Sequence, residues 1–366
     1  MNHKFHHLKI ENITHETPDT VTLHFNVPEE LHEIFQYKSG QYLTVKFIIK
    51  GKEERRSYSM SSAPHDQKLS ITIKKVQGGL VSTHICDHIK INDSIEVMCP
   101  DGRFVLKTDF DKGKNYYFIA AGSGITPVFS HIKTLLEAEP QSCLFLLYGN
   151  RNEHSIIFRQ QLDSLQKFYS GQLYVEYILS QPKREKSGGI TGLFSKGTLS
   201  WQGQVGRISS DVFNRFMEEH APRLPESEFI LCGPGKMIDE ITQNLLTTNT
   251  DKKKIHKEYF TVDTTPNHAS DKNNIDAVLV VHLDGEVIET NIPAGKTILE
   301  TLISLKKNPP YSCASGACST CMAKIISGQV EMMVSNALDE DEIKQGYILT
   351  CQSKPITERI EIDYNV

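Results

Sequence analysis

Long apolar runs are missing from this 366-residue chain. No stretch approaches the roughly 20 consecutive apolar residues that a membrane span needs, so no span is expected. The first ten residues, Met1 to Ile10, lack the apolar core of a secretory signal, and a cytoplasmic location is expected. Their histidines, His3, His6 and His7, read as a solvated terminus rather than a metal tract. There is no basic stripe, which argues against nucleic acid as a partner. Four of the eight cysteines, Cys86, Cys99, Cys143 and Cys232, show no paired spacing, so a disulfide framework is not expected. The first three stand in apolar contexts and are expected to be buried packing residues. Internal repeats are absent as well.

The remaining four cysteines, Cys313, Cys318, Cys321 and Cys351, run C-x4-C-x2-C with a distant fourth. That order is the ligand spacing of a plant-type [2Fe–2S] cluster. Structural zinc sites pair their ligands in two short knuckles, whereas here only Cys318 and Cys321 form one. Every residue between the first and third cysteines is small: Ala314, Ser315, Gly316, Ala317, Ser319 and Thr320. A loop of that kind lets successive backbone N–H groups converge on the sulfurs, where bulky side chains would block them.

The length implies two or three domains. Residues 1–108 read as β-rich: Val21, Leu23, Phe25 and Val27 alternate with polar residues, as do Val45, Phe47 and Ile49, and Leu69, Ile71 and Ile73. Short strands between Gly, Pro and charged turns predict a small antiparallel β-barrel. Across 109–262, apolar strands at Tyr116–Ala121, Leu144–Tyr148, Leu173–Leu179 and Phe229–Leu231 alternate with helical patterns at Val128–Glu137 and Ile156–Phe168. That alternation predicts a doubly wound parallel α/β sheet. Residues 263–274 (DTTPNHASDKNN) are nearly devoid of apolar side chains and read as a flexible linker that would let the last domain shuttle. In 275–366, two strands flank Asp284-Gly285, a hairpin signal, and a helical face follows at Ile298–Leu305. With the cysteine loop, this makes a compact α+β domain. It holds thirteen Asp/Glu against seven Lys/Arg, which is either solvated surface or a face that steers docking to a basic partner.

Two further constellations carry chemistry. Arg56-Ser57-Tyr58-Ser59 follows an alternating strand and offers a pyrophosphate clamp, an aromatic face and a hydroxyl, the parts needed to hold a flavin. Gly78-Gly79-Leu80-Val81-Ser82 comes next, with Ser82 expected to cap a helix and form a phosphate site. Gly122-Ser123-Gly124-Ile125-Thr126-Pro127 then follows a predicted strand and opens a helix, as a dinucleotide pyrophosphate requires. Pro127 is expected at the first helical position. Cys232-Gly233-Pro234-Gly235 adds a second glycine turn, and Cys232 is a candidate neighbour of the hydride-transfer site.

On these motifs the first 262 residues resemble the ferredoxin–NADP reductase superfamily and the tail resembles plant-type ferredoxin, whose domain is a β-grasp. Reductase first and ferredoxin last is similar to the reductase components of bacterial oxygenases. The segments Pro309–Cys313, Gly328–Met332 and Gly346–Ser353 carry a particular likeness to the reductase subunits of phenylacetyl-CoA 1,2-epoxidases. The resemblance implies that Arg56, Tyr58 and Ser59 hold FAD, with Ser59 near its reactive nitrogen, and that Gly79 and Ser82 cradle its pyrophosphate. It implies that Gly122, Gly124, Thr126, Cys232 and Gly233 meet the nicotinamide coenzyme. Glu258-Tyr259-Phe260 resembles the closing E-x-F segment of the family, with Phe260 on the flavin face and Glu258 near the hydride path. Arg151, in Tyr148-Gly149-Asn150-Arg151, is placed to reach a 2′-phosphate, yet Ser180-Gln181 stands where NADPH-using relatives carry Ser-Arg, so NADPH and NADH both stay open. The implied activity is electron transfer from NAD(P)H through FAD and the cluster to a di-iron oxygenase. The alternatives are the reductase of another monooxygenase, dioxygenase, hydroxylase or desaturase, or a non-catalytic electron carrier or redox sensor.

Overall fold

The computed structural model describes residues 4–185, 198–261 and 275–365. The expected linker at 263–274 lies outside them. Among the described residues no helix is long and apolar enough to cross a membrane.

The N-terminal unit contains strands β1 (Phe5–Thr17), β2 (Thr20–Asn26), β3 (Tyr42–Ile49), β4 (Lys52–Ser59) and β5 (Leu69–Lys74), helix α1 (Leu80–His88) and strand β6 (Ser94–Met98). The sheet runs β4-β3-β6-β1-β2-β5, antiparallel throughout. Just beyond β4, Met60 bridges Ile71 of β5, which brings the two edge strands together as a barrel does. The alternating Val21, Leu23, Phe25, Val45, Ile71 and Ile73 supply its core. β3 and β4 are joined by Lys50 and Gly51, both at positive φ, the backbone a tight hairpin requires.

The middle unit contains β7 (Asn115–Ala121), α2 (Ile125–Ala138), β8 (Cys143–Asn150), α3 (Arg159–Phe168), β9 (Leu173–Leu179), β10 (Arg184–Glu185), β11 (Thr198–Leu199), β12 (Gln204–Val205), α4 (Ser210–Glu219), β13 (Ser227–Pro234), α5 (Gly235–Thr247) and β14 (Ile255–Thr261). Six strands form a parallel sheet in the order β12-β9-β8-β7-β13-β14. One face packs on α2 and α3 through Val128, Ile132 and Leu162, the other on α4 and α5 through Phe213, Phe216 and Ile238. Strand order reverses between β7 and β13, so the crevice beyond their carboxyl ends is a topological switch point. The helix expected from Ile156 starts only at Arg159. Phe158 sits at φ 59°, and Ile156 and Ile157 are spent on the core instead.

The C-terminal unit contains β15 (Ala277–Leu283), β16 (Glu286–Ile292), α6 (Ile298–Ser304), β17 (Met322–Ser327), β18 (Val330–Met332), α7 (Glu340–Lys344), β19 (Tyr347–Leu349), β20 (Ser353–Pro355) and β21 (Arg359–Asp363). Its main sheet is β16-β15-β21-β17-β19, with β15 and β21 parallel at the centre and α6 packed across it, a β-grasp. Thr297 and Glu300 close a capping box on α6. Asp284 and Gly285, both at positive φ, make the hairpin turn. This unit rests against the barrel: the Tyr42 hydroxyl and Thr320 Oγ1 lie 2.8 Å apart.

Three expected details are corrected. Cys86, Cys99 and Cys143 are half-buried, not buried. Ser82 does not cap α1, whose N-cap is Gly79. It is the third residue of the helix, and its Oγ accepts from Val76 N at 3.1 Å, which ties the helix to the chain before the glycine turn. Pro127 is the third residue of α2, not the first, because Gly122–Gly124 already form a 3-10 turn. Proline is tolerated there because the first N–H groups of a helix have no carbonyl partner.

Candidate functional site

A cavity of about 510 Å³ opens where the three units meet. β4 contributes Arg56, Tyr58 and Ser59 to one wall, and the start of α1 contributes Gly79 and Ser82. The middle unit adds Ser123 and Thr126 from the first glycine turn, and Glu258 and Phe260 from β14. Cys313, Ser315, Ala317 and Cys318 of the cysteine loop complete it. Segments far apart in sequence thus share one chamber. A second hollow of about 380 Å³, near Tyr174 and His220, receives none of the motif residues.

The flavin-side wall suits an anionic, flat ligand. α1 begins at Gly79 with no side-chain cap and no acidic residue in its first turn, so its N–H groups remain available to a phosphate. A Cβ on Gly79 would come 2.7 Å from Ser82 Oγ and narrow that approach. Arg56 is partly exposed, paired with Glu54 at 3.2 Å and bonded to the Arg55 carbonyl, which holds its guanidinium beside the cavity. Tyr58 and Phe260 offer two half-buried rings, and burial pushes the Tyr58 hydroxyl well above its ordinary range.

Ser59 Oγ donates to Glu258 Oε2 at 3.2 Å, tying the barrel to the parallel sheet. Burial pushes the Glu258 carboxyl up to about 8, and the Ser59 hydroxyl opposes that rise. Cys232 is the register partner of Glu258 across β13 and β14. Its side chain is fully buried and stays out of the cavity lining, and its thiol is pushed well up by burial and then by the Glu258 charge.

The two glycine turns of the middle unit touch each other at the switch point. A Cβ on Gly124 would fall 2.2 Å from the Cys232 carbonyl oxygen, so only glycine fits. Gly122, at φ 55°, accepts from the Tyr148 hydroxyl at 3.0 Å, and a Cβ on Gly233, at φ 153°, would meet Ala121 Cβ at 3.2 Å; neither glycine lines the cavity. α2 starts without a side-chain cap, which leaves its N–H groups for a pyrophosphate. Arg151 lies outside the cavity, exposed at the end of β8. Its carbonyl accepts from Gln181 N at 2.7 Å and the Asn150 carbonyl accepts from Ser180 N at 2.9 Å, so the two segments named for the adenine side are neighbours.

The four remaining cysteines come together as two pairs. Cys318 Sγ lies 3.1 Å from Cys313 Sγ, and Cys321 is hydrogen-bonded to Cys351. Within each pair one thiol is held low and the other high: Cys313 is lowered by its bond from Cys318, and Cys351 by its bond from Cys321. Ser315 N and Cys318 N donate to Cys313 Sγ at 3.4 and 3.3 Å, and Gln352 Nε2 approaches Cys351 Sγ at 3.7 Å. Ala314 at φ 52° and Gly316 at φ 78° turn those N–H groups inward, and a Cβ on Gly316 would meet Val334 at 2.9 Å. Among the described residues no three His, Cys, Asp or Glu side chains surround one point as a mononuclear ion needs. Two thiol pairs with converging N–H donors instead suit a two-iron cluster, with two thiolates for each iron.

Sequence reasoning missed Tyr42, which lines the cavity and bonds both Asp101 and Thr320. It also missed Arg55, buried beside Tyr311. Neither stands in a motif; the only available signal was their place beside the flavin-like segment, on β3 and β4.

Three family models match. The oxidoreductase FAD-binding domain covers 7–106, the oxidoreductase NAD-binding domain 118–243 and the 2Fe-2S iron-sulfur cluster binding domain 281–355. The chain is 33% identical to a subunit of the 1,2-phenylacetyl-CoA epoxidase of Escherichia coli (strain K12), over 99% of this chain and 98% of that protein. It is 32% identical to the ferredoxin reductase component of 3-ketosteroid-9-alpha-monooxygenase of Rhodococcus rhodochrous, over 98% and 96%. Its fold is that of the solved phthalate dioxygenase reductase, with a TM-score of 0.60, 23% identity and 98% of both chains covered.

Proposed function

The chain belongs to the family of oxygenase reductases that join FAD-binding, NAD-binding and 2Fe-2S domains in one polypeptide, and from that premise we propose that its acceptor is a di-iron oxygenase of the phenylacetyl-CoA epoxidase kind. The observation that carries this acceptor is the 33% identity over 99% of the chain to the epoxidase subunit, and the shared cavity carries the electron relay that would feed it. Ser59 of the barrel, Glu258 of the parallel sheet and Cys318 of the cysteine loop all face that cavity. When bound, the nicotinamide coenzyme would supply a hydride, FAD a store that takes two electrons and releases them singly, and the cluster a one-electron exit.

The residues have separable tasks in this reading. Arg56, Gly79 and the α1 N-terminus hold the FAD pyrophosphate, with Ser82 bracing the turn. Tyr58 and Phe260 flank the ring, and the Ser59 hydroxyl addresses its reactive edge. Gly122, Gly124, Thr126 and Gly233 shape the crevice for the coenzyme, and Cys232 backs Glu258. With its carboxyl raised to about 8, Glu258 holds a proton at neutral pH while its Oε2 accepts from the Ser59 hydroxyl. Cys313, Cys318, Cys321 and Cys351 ligate the cluster. Arg151 forms no ion pair among the described residues and is available to a 2′-phosphate, which favours NADPH over NADH. Domain limits of 1–108, 109–262 and 275–366, joined through 263–274, belong to the same proposal. So does a cytoplasmic site of action, a reducing compartment that suits cysteines joined by no disulfide among the described residues.

A second reading, the reductase of a different oxygenase, is favoured by the nearly equal identity to the 3-ketosteroid monooxygenase component. Presenting the NADPH-reduced protein with a purified di-iron epoxidase component and, separately, with the oxygenase component of a 3-ketosteroid-9-alpha-monooxygenase separates the two. Fast reoxidation by the di-iron component alone supports the first reading, and reoxidation only by the other overturns it.

A further inference from the structure

One buried cation between the barrel and the C-terminal unit belongs to none of the cofactor motifs. Arg55 is 5% exposed. Its guanidinium stacks 4.1 Å from the Tyr311 ring centroid and 4.9 Å from that of Phe5. Nη2 donates to Asn308 Oδ1 at 2.9 Å and Nε to Glu53 Oε1 at 2.7 Å. The Tyr311 hydroxyl donates to the same Glu53 oxygen at 3.2 Å, closing a ring of three side chains across the interface.

The segment it grips is stiff and leads straight to the cysteines. Lys306 and Asn308 stand at positive φ, and Pro309 and Pro310 fix the next two φ angles. Tyr311 follows, two residues before Cys313. A hold at 308 and 311 therefore brackets both prolines and is transmitted to the first cysteine. On the other side Arg55 shares β4 with Arg56, Tyr58 and Ser59, so one strand touches both the cavity and the cysteine domain.

Two ion pairs that reach the C-terminal unit are weaker candidates for this task, and the buried Tyr42–Thr320 hydrogen bond holds the loop from its other end, beyond Cys318. Lys252 and Glu340 are exposed, and Arg103 with Glu342 is partly so; pairs of that kind contribute little net stability. A desolvated arginine stacked on a ring and bonded to an amide oxygen contributes more, and losing it leaves its partners unmatched.

We infer that Arg55 is a positioning residue that clamps Asn308 and Tyr311 and so holds the cysteine loop at the mouth of the flavin-side cavity. The inference rests on the function proposed above.

The test uses the full-length holoprotein and its Arg55→Ala, Tyr311→Leu and double variants, followed by amide hydrogen exchange. The amides of 308 and 311–318 should exchange about tenfold faster in each single variant, a change of about 1.4 kcal/mol in the opening equilibrium. The double variant should add little to Arg55→Ala, because the two changes share the Arg55–Tyr311 contact. Amides of β1 and β2 should keep their protection. NAD(P)H-driven ferricyanide reduction, which does not need the cluster, should stay near wild type while cytochrome c reduction falls, and Arg55→Lys should recover part of that ratio. Unchanged exchange at 308 and 311–318, additive single variants, loss of protection through the barrel core, or an unaltered acceptor ratio would each overturn the assignment. A protein that lacks flavin and cluster absorption fails the proposed function instead, so the two failures are told apart.

Discussion

Ser59 and Glu258, 199 residues apart, are joined by a 3.2 Å hydrogen bond across the cavity. The bond couples the barrel to the last strand of the parallel sheet and places an acid at the point where two cofactor-binding units face each other. Because burial raises that acid to about 8, its titration is moved from the acid range to near neutrality and above.

The sign of the effect on stability follows from linkage. A carboxyl raised in the folded state contributes stability that is fully present below its ordinary value near 4.5 and is lost as pH rises through about 8. Glu258→Gln removes the titration, so its melting temperature should fall less than wild type between pH 5 and 9. Parallel slopes for the two proteins in thermal melts would show that Glu258 does not titrate in this window.

Gly124→Ala should weaken both fold and coenzyme binding. The new Cβ would fall 2.2 Å from a backbone oxygen of Cys232, which cannot rotate away. An overpacking cost of about 1–3 kcal/mol is expected. Melting temperature and NAD(P)H affinity by fluorescence titration check it, and both should drop while FAD content is kept.

Cys351→Ser should lose the cluster but keep the flavin. Cys351 is paired with Cys321, and the barrel core shares no residue with that pair. Iron and labile sulfide should fall to background, the flavin spectrum should persist, and NAD(P)H should still drive ferricyanide reduction. Intact iron content would remove Cys351 from the ligand set.

Arg151→Gln should shift coenzyme choice. A guanidinium bonded to a 2′-phosphate is worth about 1.5–3 kcal/mol, so the NADPH to NADH ratio of kcat/KM should fall about tenfold or more. Steady-state kinetics with both coenzymes give the answer directly, and an unchanged ratio would take Arg151 out of the 2′-phosphate site.

Local features were legible because they are written in neighbouring residues. The C-x4-C-x2-C loop, the glycine turns after β7 and β13, and the Asp284-Gly285 hairpin each need particular residue types within a few positions. Finer placements were not legible. Ser82 reads as a cap until the helix start is fixed at Gly79, and Pro127 reads as a first position until the 3-10 turn before it is known. In both cases a shift of a few residues, invisible to composition, was decided by how the preceding strand ends.

What this sequence settled alone is the inventory: three kinds of binding turn, four thiols in cluster order, and the apolar periodicities that give a barrel, a parallel sheet and a grasp fold. Tertiary structure alone decided that Ser59, Thr126, Glu258 and Cys318 line a single cavity, that Tyr42 meets Thr320 across 278 residues, and that Arg55 grips Tyr311. The reason is physical. Ligand spacing and strand periodicity are short-range constraints that each segment carries within itself, whereas docking one domain on another depends on single side chains from distant segments, which leave no repeating mark in the chain.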